Sequence, residues 1–292
     1  MKKWVGFLGL LVFLSACEQK KEVKRMRLPS GLEYEHFINN EDRYRAQLND
    51  YLQLEVRILS QSRKDTISDT FLAEGPLYRP AEYPKYAGAP EEALVMLHEG
   101  DSIHLYVEAN KKYQYEQRPR GVVTGDRIEY QIKVQKVYKP DEYTALRTRL
   151  EEVALQKYLK EAKERGENYK KHPSGIYYRQ EAGVANRDEL PYFQPGDRIS
   201  MHFTGRFLNG LSFDRTDNPK EPEKSKPIEF TLGKVQIIPA WDITFREIMK
   251  PGDQLTILVP FKYSFGTKGN PKLKVPPYAT TTFKIRAQKL EE

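Results

Sequence analysis

The sequence repeats one order of strands and turns, and this internal similarity limits the fold more than any other feature. The segment PSGLEYEHF, which begins at Pro29, is matched by PSGIYYRQE from Pro173. EGDSIHLYVEA from Glu99 is matched by PGDQLTILVPF from Pro251, and the stretches GDRIEYQIKVQKVY and ATTTFKIRAQKLEE close the two copies. The shared order predicts two copies of one domain of about a hundred residues or slightly more. Chance similarity between strand-forming segments is the alternative interpretation.

Most segments of the second copy alternate apolar and polar residues, as half-buried β-strands do. The alternation is clear at 197–207, 253–261 and 280–290. One short helix is predicted at 240–249, because its apolar residues fall on one face. These residues are Trp241, Phe245, Ile248 and Met249. Each copy is therefore predicted to be an antiparallel sheet packed against a short helix, which places the chain in the α+β class.

A polar, helix-forming segment at 139–172 separates the two copies. Apolar residues recur at near-helical spacing from Leu146 to Ala162, which predicts a helix over about 141–165. Such a helix would extend about 37 Å at 1.5 Å per residue. We interpret it as a linker that joins the domains and either packs on one of them or separates them. A helix that pairs two subunits into a homodimer is the alternative interpretation.

The first seventeen residues, MKKWVGFLGLLVFLSAC, combine two lysines, a short apolar run and small residues before a cysteine. This pattern is typical of a secretory signal, and the apolar run is too short to span a bilayer comfortably. The LSAC ending resembles a bacterial lipobox, so residues 1–17 are predicted to be a lipoprotein signal peptide with Cys17 as the lipidated residue. An ordinary cleaved signal is the alternative. Cys17 is the only cysteine in the sequence, so no intrachain disulfide can form.

Residues 18–28 are polar and are predicted to be a flexible tether between the lipid and the folded part. Several acyl chains on one residue make a stable membrane anchor. The chain is therefore expected in the bacterial cell envelope, held to the membrane through its N-terminal lipid. Glu18 follows the cysteine in place of the aspartate that is linked to inner-membrane retention, which favours the outer membrane.

Charge and residue spacing argue against several classes of function. The net charge is +7, but basic and acidic residues are interleaved throughout, so nucleic acid is not predicted as a partner. The five histidines are scattered, and the sequence contains neither a His/Cys cluster with metal-ligand spacing nor a glycine-rich phosphate loop. We therefore predict no metal ion and no cofactor.

Four blocks of the second copy resemble, in order and spacing, the FKBP-type peptidyl-prolyl isomerases. The blocks read GDRISMHFTGRFLNGLSFD, PIEFTLGKVQIIPAWD, PGDQLTILVPFKYSFG and VPPYATTTFKI, and together they cover about 196–290. The resemblance implies a five- or six-stranded antiparallel sheet curled around one short helix. It also implies an apolar cleft in which a proline ring lies over an indole, and Trp241 occupies the position of that tryptophan.

The same resemblance implies a set of site residues. Those implied to act on the bound amide are Asp214, Trp241 and Phe265, and those implied to contact the substrate are Phe203, Phe213, Phe230, Ile237, Ile238, Val275 and Phe283. The backbone N–H of Ile238 is the implied donor to a substrate carbonyl. Phe203 and Phe265 stand where the family commonly has tyrosine, so weaker binding of substrates and inhibitors is expected. Two alternatives stay open: the aromatic residues form only a core, and Asp214 is a turn residue.

The first copy resembles the same family only in outline, because it has no tryptophan and no clear Phe-Asp pair. Residues 29–138 are therefore interpreted as a degenerate, non-catalytic FKBP-like domain, and residues 173–292 as the isomerase domain. The expected function is prolyl isomerisation that assists the folding of exported proteins, with proline-containing polypeptides as partners. The alternatives are a non-catalytic chaperone and a binding lipoprotein of an assembly or motility machinery.

Overall fold

A computed structural model describes residues 23–62, 66–69, 76–114, 117–119, 121–217, 225–234 and 237–291. The predicted signal peptide with Cys17, and the beginning of the tether, lie outside these residues. The chain divides into an N-terminal unit, Met1–Pro140, and a C-terminal unit, Asp141–Glu292. No helix in the described part of the chain is long and apolar enough to cross a bilayer.

The N-terminal unit is built on one seven-stranded antiparallel sheet. Its strands are β1 (Arg25–Arg27), β2 (Glu33–Ile38), β3 (Tyr51–Ser60), β4 (Thr66–Asp69), β5 (Leu77–Pro80), β6 (Ser102–Glu108) and β7 (Arg127–Tyr138). Two helical turns, α1 (Glu91–Leu94) and α2 (Ala109–Lys112), complete the unit. The strands lie in the order β1-β2-β6-β7-β3-β4, and β5 pairs with β3. Alternate residues of β3, β6 and β7 pack with α1 in the core, as the period of two predicts.

The C-terminal unit also has a seven-stranded antiparallel sheet. Its strands are β8 (Lys170–Lys171), β9 (Tyr177–Ala182), β10 (Arg198–Phe207), β11 (Ser212–Arg215), β12 (Ile228–Thr231), β13 (Gln254–Val259) and β14 (Thr281–Lys289). Its helices are α3 (Pro140–Glu164) and α4 (Pro239–Ile243), with short 3₁₀ turns at Arg187–Glu189 and Phe261–Tyr263. The strands lie in the order β8-β9-β13-β14-β10-β11, and β12 pairs with β10.

The two sheets have the same topology, because adding seven to each strand number of the first sheet gives the second. The short helix that packs on the sheet also occupies the same place, between the fifth and sixth strand of each unit. The predicted α+β class with two similar domains is therefore confirmed.

The short helix of the C-terminal unit begins at Pro239, which suits the first helical position because proline has no N–H to bond there. After α4 the chain continues in a π-helical turn over Thr244–Ile248, closed by a 2.7 Å hydrogen bond from the Met249 N–H to the Thr244 carbonyl. Phe245 on this turn is fully buried, whereas Trp241 on α4 is only half-buried. The predicted helix at 240–249 is thus present, but with two different helical geometries.

The long helix α3 packs on the C-terminal unit. Leu155 is buried against Tyr177 and Leu258 of the sheet. Nearer its start, the Thr144 hydroxyl lies 3.0 Å from the Tyr278 hydroxyl. These contacts agree with the interpretation of the helix as an arm that packs on one domain.

The buried face of α3 differs from the predicted apolar stripe. Leu150 and Val153, which belong to the predicted stripe, are 43% and 61% exposed. A polar residue, Glu151, lies on the packed face instead, where its carboxylate accepts a 3.0 Å hydrogen bond from the Thr280 N–H. Hydrophobic spacing alone therefore could not identify the face. Pairing of two subunits through α3 stays a prediction.

Candidate active site

An open cleft of about 360 Å³ lies in the C-terminal unit between β10, β12 and α4. Its lining residues are Phe203, Phe213, Asp214, Ile228, Glu229, Phe230, Ile237, Ile238, Trp241, Phe265, Leu273 and Phe283. Nine of the ten residues that the resemblance implied therefore meet in one place. The half-buried indole of Trp241 is part of this open surface, so these aromatic residues form more than a closed core.

Trp241 is held by the edges of two phenylalanine rings. The ring of Phe203 lies 5.0 Å from the indole, and that of Phe283 lies 5.5 Å from it, both in edge-to-face geometry. Phe203 and Phe283 are themselves buried on neighbouring strands. The indole N–H is buried and has no hydrogen-bond acceptor among the described residues. The indole is therefore positioned by ring packing, which favours such tilted arrangements.

Phe213 forms a second wall of the cleft, and a glycine makes room for it. Its ring contacts Phe265 at 5.8 Å and Phe283 at 5.7 Å, again edge to face. A Cβ atom on Gly205 would lie 2.6 Å from the Phe213 ring, a distance that real Cβ contacts do not show. A residue with any side chain at 205 would push the wall out of place.

Asp214 lies opposite Gly205 in the pairing of β10 with β11. Its Oδ1 accepts a 2.8 Å hydrogen bond from the Arg215 N–H, and the residue is half-buried. The carboxylate therefore lines the cleft from the end of a strand, where the ladder fixes its direction. The position of Asp214 within strand β11 argues against the alternative in which it is only a turn residue.

Ile238 precedes α4 in an extended conformation, with φ −62° and ψ 142°. Its carbonyl accepts a 3.0 Å hydrogen bond from the Trp241 N–H, which turns the chain into the helix. No oxygen of the described residues accepts a hydrogen bond from the Ile238 N–H. The donor is thus free to meet a carbonyl in the cleft, because the first N–H groups of a helix have no partner within it.

The charged residues of the cleft are both acidic. Asp214 and Glu229 contribute carboxylates, and no lysine or arginine of the described residues lines this cleft. Glu229 forms an ion pair with Arg198, at 3.7 Å, and both side chains are exposed. The cleft therefore combines an aromatic interior with a negative rim.

Val275 was implied to be a wall residue, and the structure shows that this is wrong. Val275 is 3% exposed and does not line the cleft. Its N–H and carbonyl both bond to Asn270, at 2.9 and 2.8 Å, which closes a loop and draws the residue away from the opening. Leu273, two positions earlier, lines the cleft in its place. A loop has no side-chain period, so the sequence carried no signal for which of its residues faces inward.

Ile228 and Glu229 were also missed as lining residues. A signal for Ile228 was present, because residues two apart on a strand share a face and Phe230 was already predicted in the cleft. Phe265 lines the cleft as implied, without the hydroxyl that the family commonly has there.

Comparisons with known proteins agree with this geometry. Residues 191–288 match a family model described as FKBP-type peptidyl-prolyl cis-trans isomerase. The chain is 29% identical over 108 residues to peptidyl-prolyl cis-trans isomerase Fkbp12 of Drosophila melanogaster, which covers 37% of this chain and 94% of that protein. It is 38% identical over 97 residues to peptidyl-prolyl cis-trans isomerase FKBP4 of Homo sapiens, which covers 33% of this chain and 19% of that protein.

Among solved structures, the crystal structure of AtFKBP13 is similar at a TM-score of 0.34 and 23% identity, and the match covers 41% of this chain and 95% of that one. The family match and the aromatic cleft fall in the same unit, and the family implied by the four sequence blocks is confirmed. Residues 191–288 belong to the FKBP-type peptidyl-prolyl cis-trans isomerases.

Proposed function

We propose that this prolyl isomerase acts on exported polypeptides in the bacterial cell envelope, and that a lipid on Cys17 anchors it to the membrane. The enzyme class follows from the family of residues 191–288. The observation that carries the proposed substrate site is the open aromatic cleft at the half-buried Trp241.

The proposed chemistry needs no nucleophile. Rotation about an X-Pro bond must cross a barrier of about 18–20 kcal/mol, because the twisted amide loses its resonance. The twisted amide also has less charge separation than the planar amide. A cleft that replaces water by aromatic surface therefore favours the twisted form relative to the planar one. In this proposal the proline ring rests on the Trp241 indole between Phe203 and Phe283.

Two polar groups orient the amide in this proposal. The Ile238 N–H donates to a substrate carbonyl, which fixes the chain on one side of the rotating bond. The Asp214 carboxylate lies beside the amide and stabilises its dipole only in the twisted geometry, which is the requirement for a rate effect. Phe265 adds apolar surface but no hydrogen bond, so substrates are expected to bind more weakly than in relatives with tyrosine.

A protease-coupled assay on a proline peptide tests the isomerase proposal. Trp241→Ala should lower kcat/KM about tenfold to a hundredfold, because burying an apolar ring contributes about 1.5–3 kcal/mol. Phe37→Ala is the matched control, since it removes an exposed aromatic ring of the N-terminal unit. A wild-type chain with no rate above the uncatalysed background would overturn the proposal.

The envelope location is supported by the sequence MKKWVGFLGLLVFLSAC and by the polar segment that follows it. Metabolic labelling with a lipid precursor should label the wild-type protein and not Cys17→Ala. Fractionation of the membranes should place the labelled protein in the outer membrane, as Glu18 favours. An unlabelled wild type contradicts the anchor and leaves the isomerase proposal untouched, because the two are measured separately.

A second candidate function is a chaperone or assembly factor that binds chains without turning them over. It is favoured by residues 29–138, which repeat the fold without a tryptophan. Asp214→Ala distinguishes the two functions. An isomerase should lose turnover in this variant, whereas a binding protein should still prevent the aggregation of an unfolded client at the wild-type level.

A further inference from the structure

The N-terminal unit has a cleft of its own, of about 440 Å³, which we call the N-terminal cleft. Its floor is aliphatic and comes from the sheet, with Leu54 and Val56 on β3 and Leu77 on β5. Tyr130 on β7 closes one end. The rim carries the cations Arg79, Lys85 and Lys112 and the carboxylates Glu82 and Glu91, so the cleft joins an apolar floor to a charged edge in which cations outnumber carboxylates three to two.

Two matching turns set the correspondence between the two sheets. Before β3, the Asp50 carboxylate accepts a 2.8 Å hydrogen bond from the Gln47 N–H; before β10, Asp197 accepts a 2.9 Å bond from Gln194. The residue directly before the aspartate has a positive φ in both copies, 73° at Asn49 and 98° at Gly196. These turns align Asp50 with Asp197, and the strands that follow are aligned residue by residue.

The alignment places the N-terminal cleft where the isomerase cleft lies. Val56 falls at the position of Phe203, and both residues line their clefts. Tyr130 corresponds to Phe283, because Tyr130 pairs with Ile58 and Phe283 pairs with Gly205. Ile58 and Gly205 each lie eight residues after the matched aspartate. The second cleft is therefore the same site of the fold with different side chains.

The groups proposed for isomerisation are absent from this second site. Ser68 occupies the position of Asp214, because it pairs with Ile58 as Asp214 pairs with Gly205. The helix α1 reads Glu-Glu-Ala-Leu, so its four residues present no aromatic ring. This cleft therefore has neither an indole floor nor a carboxylate at the position of Asp214, which are the groups proposed to favour a twisted amide.

The replacements change the charge of the site as well. Arg79 stands where the isomerase cleft has Phe230, since it pairs with Leu52 as Phe230 pairs with Ile199. Among the described residues, no carboxylate lies within ion-pair distance of Arg79 or Lys85, and both side chains are exposed. Neither cation is paired with a described residue, so each can meet an acidic group that enters the cleft beside the lining carboxylates Glu82 and Glu91.

We propose that the N-terminal cleft binds an extended peptide segment in which an aliphatic side chain lies next to a carboxylate, and that it does not isomerise this segment. The aliphatic side chain packs on Leu54, Val56 and Leu77. The carboxylate pairs with Arg79 and Lys85 at the rim. Proline is not required, because Tyr130 at one end is the single aromatic residue among the described lining residues and the cleft has no indole floor on which a proline ring would stack.

Fluorescence anisotropy with the full chain tests this proposal. The probe is a labelled peptide with the sequence Gly-Glu-Leu-Val-Glu-Gly, which lacks proline, and the comparison peptide has lysine in place of both glutamates. At about 0.15 M salt, where exposed charges further apart than about 8 Å are largely screened, the acidic peptide should bind at least about tenfold more tightly. Arg79→Glu should weaken its binding about tenfold or more, because a charge-assisted pair becomes a repulsion.

Arg43→Glu is the matched control, since it makes the same charge change at an exposed residue that does not line this cleft. Unchanged hydrogen-exchange protection of β3 and β7 in Arg79→Glu shows that the N-terminal unit of the variant is folded. Leu77→Trp, which fills the floor, should weaken the acidic peptide as well.

Four results would each overturn the proposal: no binding of the acidic peptide, equal binding of both peptides, an equal loss in Arg43→Glu, or a loss in Trp241→Ala. The last result would assign the binding to the isomerase cleft. None of these outcomes depends on whether the chain turns over proline peptides.

Discussion

In the C-terminal unit the cleft is walled by six aromatic residues and rimmed by two carboxylates, whereas the cleft of the N-terminal unit has an aliphatic floor, one tyrosine and a rim of three cations and two carboxylates. The sheets beneath them share one strand order and the same turns. The fold is thus maintained by the ladders and by the turns that start them. The chemistry of each cleft depends on a few side chains that point out of those ladders, so it can change without a change of topology.

The largest expected contrast concerns the buried aspartate that each unit has before its sixth strand. Asp253 is bound by Arg187 at 2.8 Å, whereas Asp101 lies 3.1 Å from His36 and 3.4 Å from His98. Asp253→Asn should destabilise the C-terminal unit by about 3–5 kcal/mol. The Arg187 guanidinium cannot release its proton, so the substitution leaves its charge without a partner. Asp101→Asn should cost the N-terminal unit only about 1–3 kcal/mol, since a histidine can become neutral.

Hydrogen exchange read separately on peptides from each unit measures both losses. The reverse order, with the N-terminal unit losing more protection, would show that the paired histidines matter more than the arginine.

Gly205 should be intolerant of any side chain, in contrast to Ile58, which occupies the matching position of the N-terminal unit. Gly205→Ala should destabilise the C-terminal unit by about 1–3 kcal/mol through overpacking against Phe213, and it should lower kcat/KM. Ile58→Ala should leave turnover at the wild-type level. Thermal unfolding together with the protease-coupled assay checks this, and a fully active Gly205→Ala would show that Phe213 can move without harm.

The acidic rim of the isomerase cleft should favour substrates with a basic residue beside proline. Glu229→Gln should reduce the preference for a Lys-Pro over a Glu-Pro peptide by up to about fivefold, which is the range of an exposed charge pair. Glu164→Gln, at the exposed end of α3, is the matched control. Relative kcat/KM values for the two peptides give the answer, and equal preferences before and after the change refute the role of Glu229.

The smallest expected effect is a dependence on pH. Burial by itself would raise the pKa of Asp197, but hydrogen bonds from the Lys289 ammonium and the Gln194 N–H outweigh it and hold the pKa below its ordinary value of 3.8. The resulting stabilisation is present above pH 3.8 and is lost as the pH falls through the lowered pKa. Lys289→Met should therefore cost about 0.2–1 kcal/mol at neutral pH and flatten the acid part of the stability curve.

Urea unfolding between pH 7 and pH 3 measures this curve. The matching Asp50 is bound by the neutral hydroxyl of Tyr44, at 3.0 Å, so Tyr44→Phe should not flatten the curve in the same way. Identical curves for wild type and Lys289→Met would show that the ion pair has no effect on stability.

The sequence allowed the strands, the short helix and most of the isomerase cleft to be predicted, because these depend on periodic patterns or on residues inside the matched blocks. Trp241, Phe203 and Phe283 lie on a helix and on strands, where position along the chain determines direction. Val275 lies in a loop, where position along the chain does not determine the direction of a side chain, and the prediction failed there. The role of Cys17 falls outside the described residues and stays a prediction.

The N-terminal cleft could not be predicted from the sequence. Its site is defined by which residue of β3 pairs with which residue of β5 and β7, and such pairings join distant parts of the chain. Arg79 reads in the sequence as an ordinary exposed cation. Only the register shows that it replaces an aromatic wall residue.

The change from α-helix to π-helical turn falls between Trp241, which lines the cleft, and Phe245, which is buried in the core. One extra residue in a helix rotates everything beyond it by about 100°, so Trp241 and Phe245 are aimed by different stretches of backbone. Deleting a single residue between 244 and 248 should therefore swing the tryptophan aside while the sheet keeps its ladder. Substrate fit and thermal stability can in this way be altered one at a time by evolution or by an engineer.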